Sequence, residues 1–284
     1  MASHHLKVPK TIKLFIGGEF PRTESGRSFP VVRHGTDAHF AHLCRASRKD
    51  FRNAVAAAKA ALASWERRTA YNRAQILYRM AEMCEGKRDE FAEVLCYTQG
   101  LSNDAAQKAV DAAIDAFVYY AGYADKYQQV IGNLNPVSGP HLCFTAAEPV
   151  GVVAALFDEN STLDEITAGL SAIICSGNTV VALLPGVTGT LLAPLAEVFA
   201  TSDLPKGVVN LLTGDVSELA PQFGSHMEVQ AVSVQTKNEA LLAELKIAGA
   251  ENLKRVAPPM QTNLGLNNIL QFVEYKTVWH PVGY

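Results

Sequence analysis

The stretch Glu148–Leu163, EPVGVVAALFDENSTL, begins with a Pro- and Gly-containing segment, continues as an apolar run and stops in a polar patch. A short uninterrupted run of this kind reads as a strand buried on both faces that delivers the chain into an exposed loop. The same texture repeats downstream. NTVVALL, GVVNLLTG and VQAVSV are further apolar strands. Between them lie the helical segments LDEITAGLSAIICSG, GTLLAPLAEVFATSDLP and VSELAPQFGSH, with KNEALLAELKIAG after the last strand. Strands separated by helices of about a dozen residues imply βαβ units and a parallel sheet. Right-handed crossovers then line up the loops that follow the strands along one sheet edge, where open α/β sheets bind ligands.

Upstream the pattern is different. KLFIGGEF and GRSFPVV, separated by PRTESG, read as an early β-hairpin. Ser47 is a candidate N-cap for a helix carrying Val55, Ala58, Leu62 and Trp65 at helical spacing. Two more helices follow, with a break near Gly86 and a C-cap at Gly100. Their apolar faces hold Ile76, Leu77, Met80 and Met83, then Phe91, Val94 and Leu95. A fourth helix carries Val110, Ile114, Phe117 and Val118 on its apolar side. No convergent group of acids, bases or nucleophiles occurs in this helical part, which reads as scaffold. VIGNLNPVSGPHLCFTA and the terminal LQFVEYKTVWHP read as strands outside the parallel core.

Composition narrows the function. The 284 residues are 48% hydrophobic and 19% charged with a net charge of −3, a balance that offers no bulk attraction to nucleic acid or acidic membranes. No apolar run approaches the roughly 20 residues that cross a bilayer, and MASHHLKVPK lacks a signal-peptide core. Cys44, Cys84, Cys96, Cys143 and Cys175 show no Cys-x-x-Cys spacing, so they read as reduced thiols of a cytoplasmic protein. His4 and His5 alone do not make a metal site.

The collinear segments ASWERRTAYNRAQILYRMAEMCEGKRDEFAEVLCYTQG, EPVGVVAALF, CSGNTVVALLPG, DLPKGVVNLLTG and NLKRV resemble the aldehyde dehydrogenase superfamily over nearly all of residues 11–257. The resemblance implies an oxyanion-donating Asn followed by aromatic and proline neighbours after the first sheet strand. Asp158, Glu159, Asn160, Ser161 and Thr162 stand there, so Asn160 remains without its frame. It implies a ribose-holding Lys-Pro pair, where Leu183 and Leu184 stand. It implies a Gly-Ser-Thr turn under the cofactor pyrophosphate, where Gln235, Thr236 and Lys237 stand. Finally, it implies a Glu-Leu-Gly-Gly general-base segment and a domain bearing a cysteine nucleophile after NLKRV. This sequence passes instead through APPMQTNLGLNN into its terminal strand. The arrangement is similar to the shortened second copy in family-sixteen aldehyde dehydrogenases.

The expected fold is therefore α/β: a Rossmann-like parallel sheet with flanking helices plus an oligomerisation β-flap, and no catalytic domain. Residues 1–10 are expected to form a tail, 11–126 the hairpin and helical part, and 127–147 the first part of the flap. Residues 148–257 are expected to form the βα repeats, and 258–284 a linker and the oligomerisation strand. No catalytic, cofactor-binding or metal residue is assigned. Three functional readings follow. The first is a non-catalytic pseudoenzyme module that assembles a homo-oligomer, or joins an adjacent aldehyde dehydrogenase domain, through its edge strands. Phe272, Val273, Tyr275, Val278 and Trp279 are its candidate anchors. The second is a part of a larger NAD-dependent aldehyde dehydrogenase whose active site lies in another domain. The third is a weak dinucleotide-binding module using the loop Thr213-Gly214-Asp215. Residual NAD binding has little support in the residues, and neither nucleic acid nor membrane is an expected partner.

Overall fold

The computed structural model describes residues 10–236, 238–260 and 263–283. The central sheet comprises β6 (Val152–Leu156), β7 (Thr179–Leu184), β8 (Val209–Thr213), β9 (Ala231–Val234) and β10 (Arg255–Ala257). All neighbouring pairs are parallel and the order is β10-β9-β6-β7-β8. Every residue of β6, β7, β8 and β9 is buried. This matches the continuous apolar runs, because helices cover both faces. Alternate side chains divide between two cores. Val153, Ala155, Val180 and Ala182 face one, and Val152, Ala154, Val181 and Leu183 face the other.

Four long helices precede the sheet among the described residues: α1 (Arg48–Glu66), α2 (Ala70–Gly86), α3 (Arg88–Gln99) and α4 (Asn103–Tyr123). Ser47 and Asp50 cap α1 reciprocally. The buried Asp50 carboxylate also accepts from the Thr23 hydroxyl at 2.6 Å and the Glu24 N–H at 3.1 Å, which ties the N-terminal segment to the helix. Gly100 ends α3 in the left-handed region, as its position implies. The short α5 (Tyr127–Ile131) follows. The crossover helices are α6 (Leu163–Cys175), α7 (Leu192–Thr201, entered through a 3-10 turn at Gly186–Leu191), α8 (Val216–Ser225) and α9 (Glu239–Ala250). Buried Arg73 locks these layers. Its guanidinium donates to the carbonyls of Glu66, Arg68 and Cys175 at 3.2, 2.6 and 3.2 Å. A cation thereby sits at the C-terminal ends of α1 and α6, where the helix dipoles favour it.

Two expectations are corrected here. The early hairpin does not join KLFIGGEF to GRSFPVV. Its strands are β2 (Ser28–Val32) and β3 (His39–Cys44), while β1 (Lys10–Ile12) adds to β3 in parallel. KLFIGGEF instead folds back on itself. Gly17 and Gly18 take positive φ, and Ile16 and Glu19 exchange backbone hydrogen bonds of 3.0 and 3.1 Å. Phe15 then bridges to Leu211 of β8. The second correction concerns Val118, which lies on the exposed side of α4. The buried stripe runs through Val110, Ala113, Phe117 and Tyr120.

The flap is a separate three-stranded antiparallel sheet in the order β11-β5-β4, built from β4 (Asn133–Asn135), β5 (His141–Pro149) and β11 (Val273–Pro281). The short α10 (Leu266–Leu270) leads into β11. The buried Asn178 side chain fixes this join. It accepts the Gly151 N–H at 2.9 Å and donates to the Phe272 carbonyl at 2.8 Å.

Candidate functional site

The sheet order reverses between β6 and β9, so a crevice opens beyond their C-terminal ends. The loop after β6 and the turn into α9 form its walls. It encloses about 330 Å³, lined in part by Phe157, Glu159, Pro185, Val216, Thr236 and Leu241. A larger depression of about 710 Å³ lies between α2 and α4, away from the strand ends.

The crevice residues mostly satisfy one another. Asn160 is exposed, and both its backbone N–H and its side-chain amide donate to the Asp158 carboxylate, at 3.1 and 3.4 Å. Asn160 is thus a turn residue, and the cap of α6 is Thr162, paired with Glu165. Ser161 accepts the Asp158 N–H at 2.9 Å. Across the crevice the Thr236 hydroxyl donates to the other Asp158 carboxylate oxygen at 3.1 Å and accepts the Asn238 N–H at 3.2 Å. Asn238 in turn caps α9 by accepting the Leu241 N–H at 3.1 Å. Gln235 is held by Ser233 and by the Met260 N–H. Leu183 and Leu184 are fully buried core residues. Lys237 lies outside the described residues, as do His4 and His5.

Thr213, Gly214 and Asp215 are drawn toward the β3–α1 connection. Thr213 donates to the Cys44 carbonyl at 2.5 Å and its own carbonyl accepts the Ala46 N–H at 2.8 Å, while Asp215 pairs with Arg45. Four of the cysteines are buried and Cys96 is half-buried. Burial pushes the thiols of Cys84 and Cys175 up to about 12, so both are protonated at neutral pH. Among the described residues no group of three or more His, Cys, Asp or Glu could hold a metal. None of their helices is long and apolar enough to cross a membrane.

The flap presents a second kind of surface. Cross-strand register places Leu134, Phe144 and Val278 directly opposite one another, one from each strand. All three are exposed, at 69, 38 and 43%. Leu142, two residues from Phe144 on β5, shares their face and is also exposed. On the other face Trp279 and Tyr275 are exposed, and the Trp279 ring meets His141 edge-on at 5.9 Å. Phe272 and Val273, expected as interface anchors, are core residues at 0 and 2% exposure. The chain is still inside the body at that point and leaves it only afterwards. Leu134, Leu142 and Phe144 are not among the anchors expected from sequence, although period-2 alternation in HLCFTA places Leu142 and Phe144 on one face.

A family model for the aldehyde dehydrogenase family matches residues 20–265. Aldehyde dehydrogenase, cytosolic 1, of Elephantulus edwardii is 30% identical over 256 residues, covering 89% of this chain and 50% of that protein. The human cytosolic 10-formyltetrahydrofolate dehydrogenase is 30% identical over 264 residues, covering 90% of this chain and 29% of that protein. The NAD+ complex structure of a Bacillus cereus aldehyde dehydrogenase superposes with a TM-score of 0.81 at 29% identity, covering 87% of this chain and 50% of that one. The chain spans half or less of the length of these relatives.

Proposed function

The chain belongs to the aldehyde dehydrogenase family, and on that premise we propose that it is a non-catalytic member, an assembly module working through its flap. The carrying observation is the Leu134–Phe144–Val278 row, laid exposed across all three flap strands. Beside it runs the outer edge of β11, nine residues long and unpaired among the described residues. A long open edge invites strand addition, and an adjoining apolar row gives the added strand something to bury. The module joins a second copy of itself or an adjacent aldehyde dehydrogenase domain. It is of the same kind as the shortened copy in family-sixteen aldehyde dehydrogenases.

The non-catalytic part of the reading rests on the crevice and the thiols. Asn160, at the oxyanion-donor position, turns its backbone N–H and its side-chain amide to the Asp158 carboxylate. The crevice lining includes no cysteine, and four of the five thiols are buried. A cytoplasmic setting fits five free cysteines. A second reading is favoured by coverage. Because the matched relatives are about twice this chain's length or more, the chain serves as part of a larger NAD-dependent aldehyde dehydrogenase whose active site lies in another domain. Size-exclusion chromatography with light scattering tests the first reading: association supports it, and a strict monomer at high concentration contradicts self-association of the isolated chain.

A further inference from the structure

Open α/β sheets hold a dinucleotide at the switch point with its pyrophosphate on a helix N-terminus, drawn there by free N–H groups and the helix dipole. Two helices of this chain, α6 and α9, start at the crevice between β6 and β9, and in both a side chain of the chain itself caps the third N–H of the first turn. In α9 the Leu241 N–H goes to Asn238 and the Asn238 N–H goes to Thr236. In α6 the Glu165 N–H goes to Thr162, whose own N–H goes back to the Glu165 carboxylate. The charges of the described residues are equally unsuited to phosphate. The first turns hold Asp164, Glu165 and Glu239, and the connecting loop adds Asp158 and Glu159. Glu159 makes no ion pair among the described residues, and its side chain lies across Gly186, where an added Cβ would come within 3.0 Å of it. No described residue lining the crevice is Lys or Arg. Where ribose would need a hydrogen-bond donor, Leu183 is buried in the core.

We infer that this crevice is closed to a dinucleotide: the Thr236–Asp158 hydrogen bond latches the loops after β9 and β6 together, and the carboxylates of Asp158, Glu159 and Glu239 repel phosphate. The residues present do not fit the cofactor that the fold family implies. In place of a bound dinucleotide, the chain's own side chains join the two halves of the sheet. The inference is independent of the assembly reading, since closure of the crevice makes no use of the flap.

Calorimetric titration of the full chain with NAD+ tests it. The wild type gives no saturable heat at millimolar ligand. Asp158→Ala combined with Glu159→Gln removes the latch acceptor for Thr236 together with two charges, and it binds NAD+ at least about tenfold more tightly, the scale set by removing a close like charge. Glu159→Gln alone, at an exposed position, shows a smaller gain in the same direction and covers the case in which the double variant fails to fold. Saturable binding by the wild type overturns the inference. So does a folded, neutralised variant that binds no better than the wild type.

Discussion

Val278 on β11 stands directly opposite Phe144 on β5, and both side chains remain more than a third exposed. With Leu134 on the far side of Phe144 they form an apolar row that the chain itself leaves uncovered. Glu substitution at the centre of such a row places a charge where a partner must desolvate it. Val278→Glu and Phe144→Glu are each expected to weaken association by at least about tenfold, the scale of a central interface residue. Their thermal melts should stay within a degree or two of the wild type, about the size of a surface effect. Sedimentation equilibrium and calorimetry read the two quantities separately.

Phe272 marks the other end of the same segment. Fully buried, it is tied through its carbonyl to Asn178 and to the Val150 N–H. Phe272→Ala is expected to cost about 3–5 kcal/mol in urea unfolding, as for other buried aromatics. Tyr275→Ala, three residues on at an exposed position, should change stability by no more than about 0.5 kcal/mol.

The contrast shows how far the sequence could be read. LQFVEYKTVWHP looks like a single strand, and a strand it is from Val273 onward. Nothing local says that the chain crosses from a packed body into a flap between Val273 and Tyr275, because that boundary depends on Asn178 and Arg255, which bond the root of the strand from elsewhere. The βα alternation, the Ser47 cap and the Gly100 stop were legible, since each rests on local periodicity or backbone chemistry. The pairing of β1 with β3 and the latch between Thr236 and Asp158, 78 residues apart, are non-local, and no spacing rule reaches them.

Arg73 should prove the most costly polar residue of the helical layer to replace. Arg73→Met leaves the carbonyls of Glu66, Arg68 and Cys175 without their charged donor. The expected loss is about 2–3 kcal/mol, the range for buried hydrogen bonds to a charged group. Urea denaturation at neutral pH measures it.

Stability should fall in mild acid through His226. Burial, then the nearby Lys254 ammonium, holds its imidazole below the usual 6.5, and its Nδ1 accepts the Glu228 N–H at 3.2 Å. The unfolded chain therefore takes up a proton before the folded chain does. The contribution is fully present above pH 6.5 and is lost as pH falls through the depressed folded value. His226→Asn keeps an acceptor without a titrating ring. Its stability should decline less than that of the wild type between pH 7 and pH 5. An equal decline in both proteins would assign the acid sensitivity elsewhere.

Purified chain, freed of contaminating dehydrogenases, is expected to reduce no NAD+ when offered aliphatic or aromatic aldehydes, followed by absorbance of the reduced nicotinamide. Sustained turnover that survives repurification would contradict the non-catalytic reading while leaving the flap chemistry untouched.

For assembly, the decisive measurement is the solution mass of the 30.6 kDa chain across a wide concentration range by sedimentation equilibrium, with Val278→Glu alongside. The account predicts reversible association of the wild type to a multiple of that mass, and a variant that stays monomeric where the wild type does not. A wild type that remains monomeric throughout, or a variant that associates just as well, would contradict it.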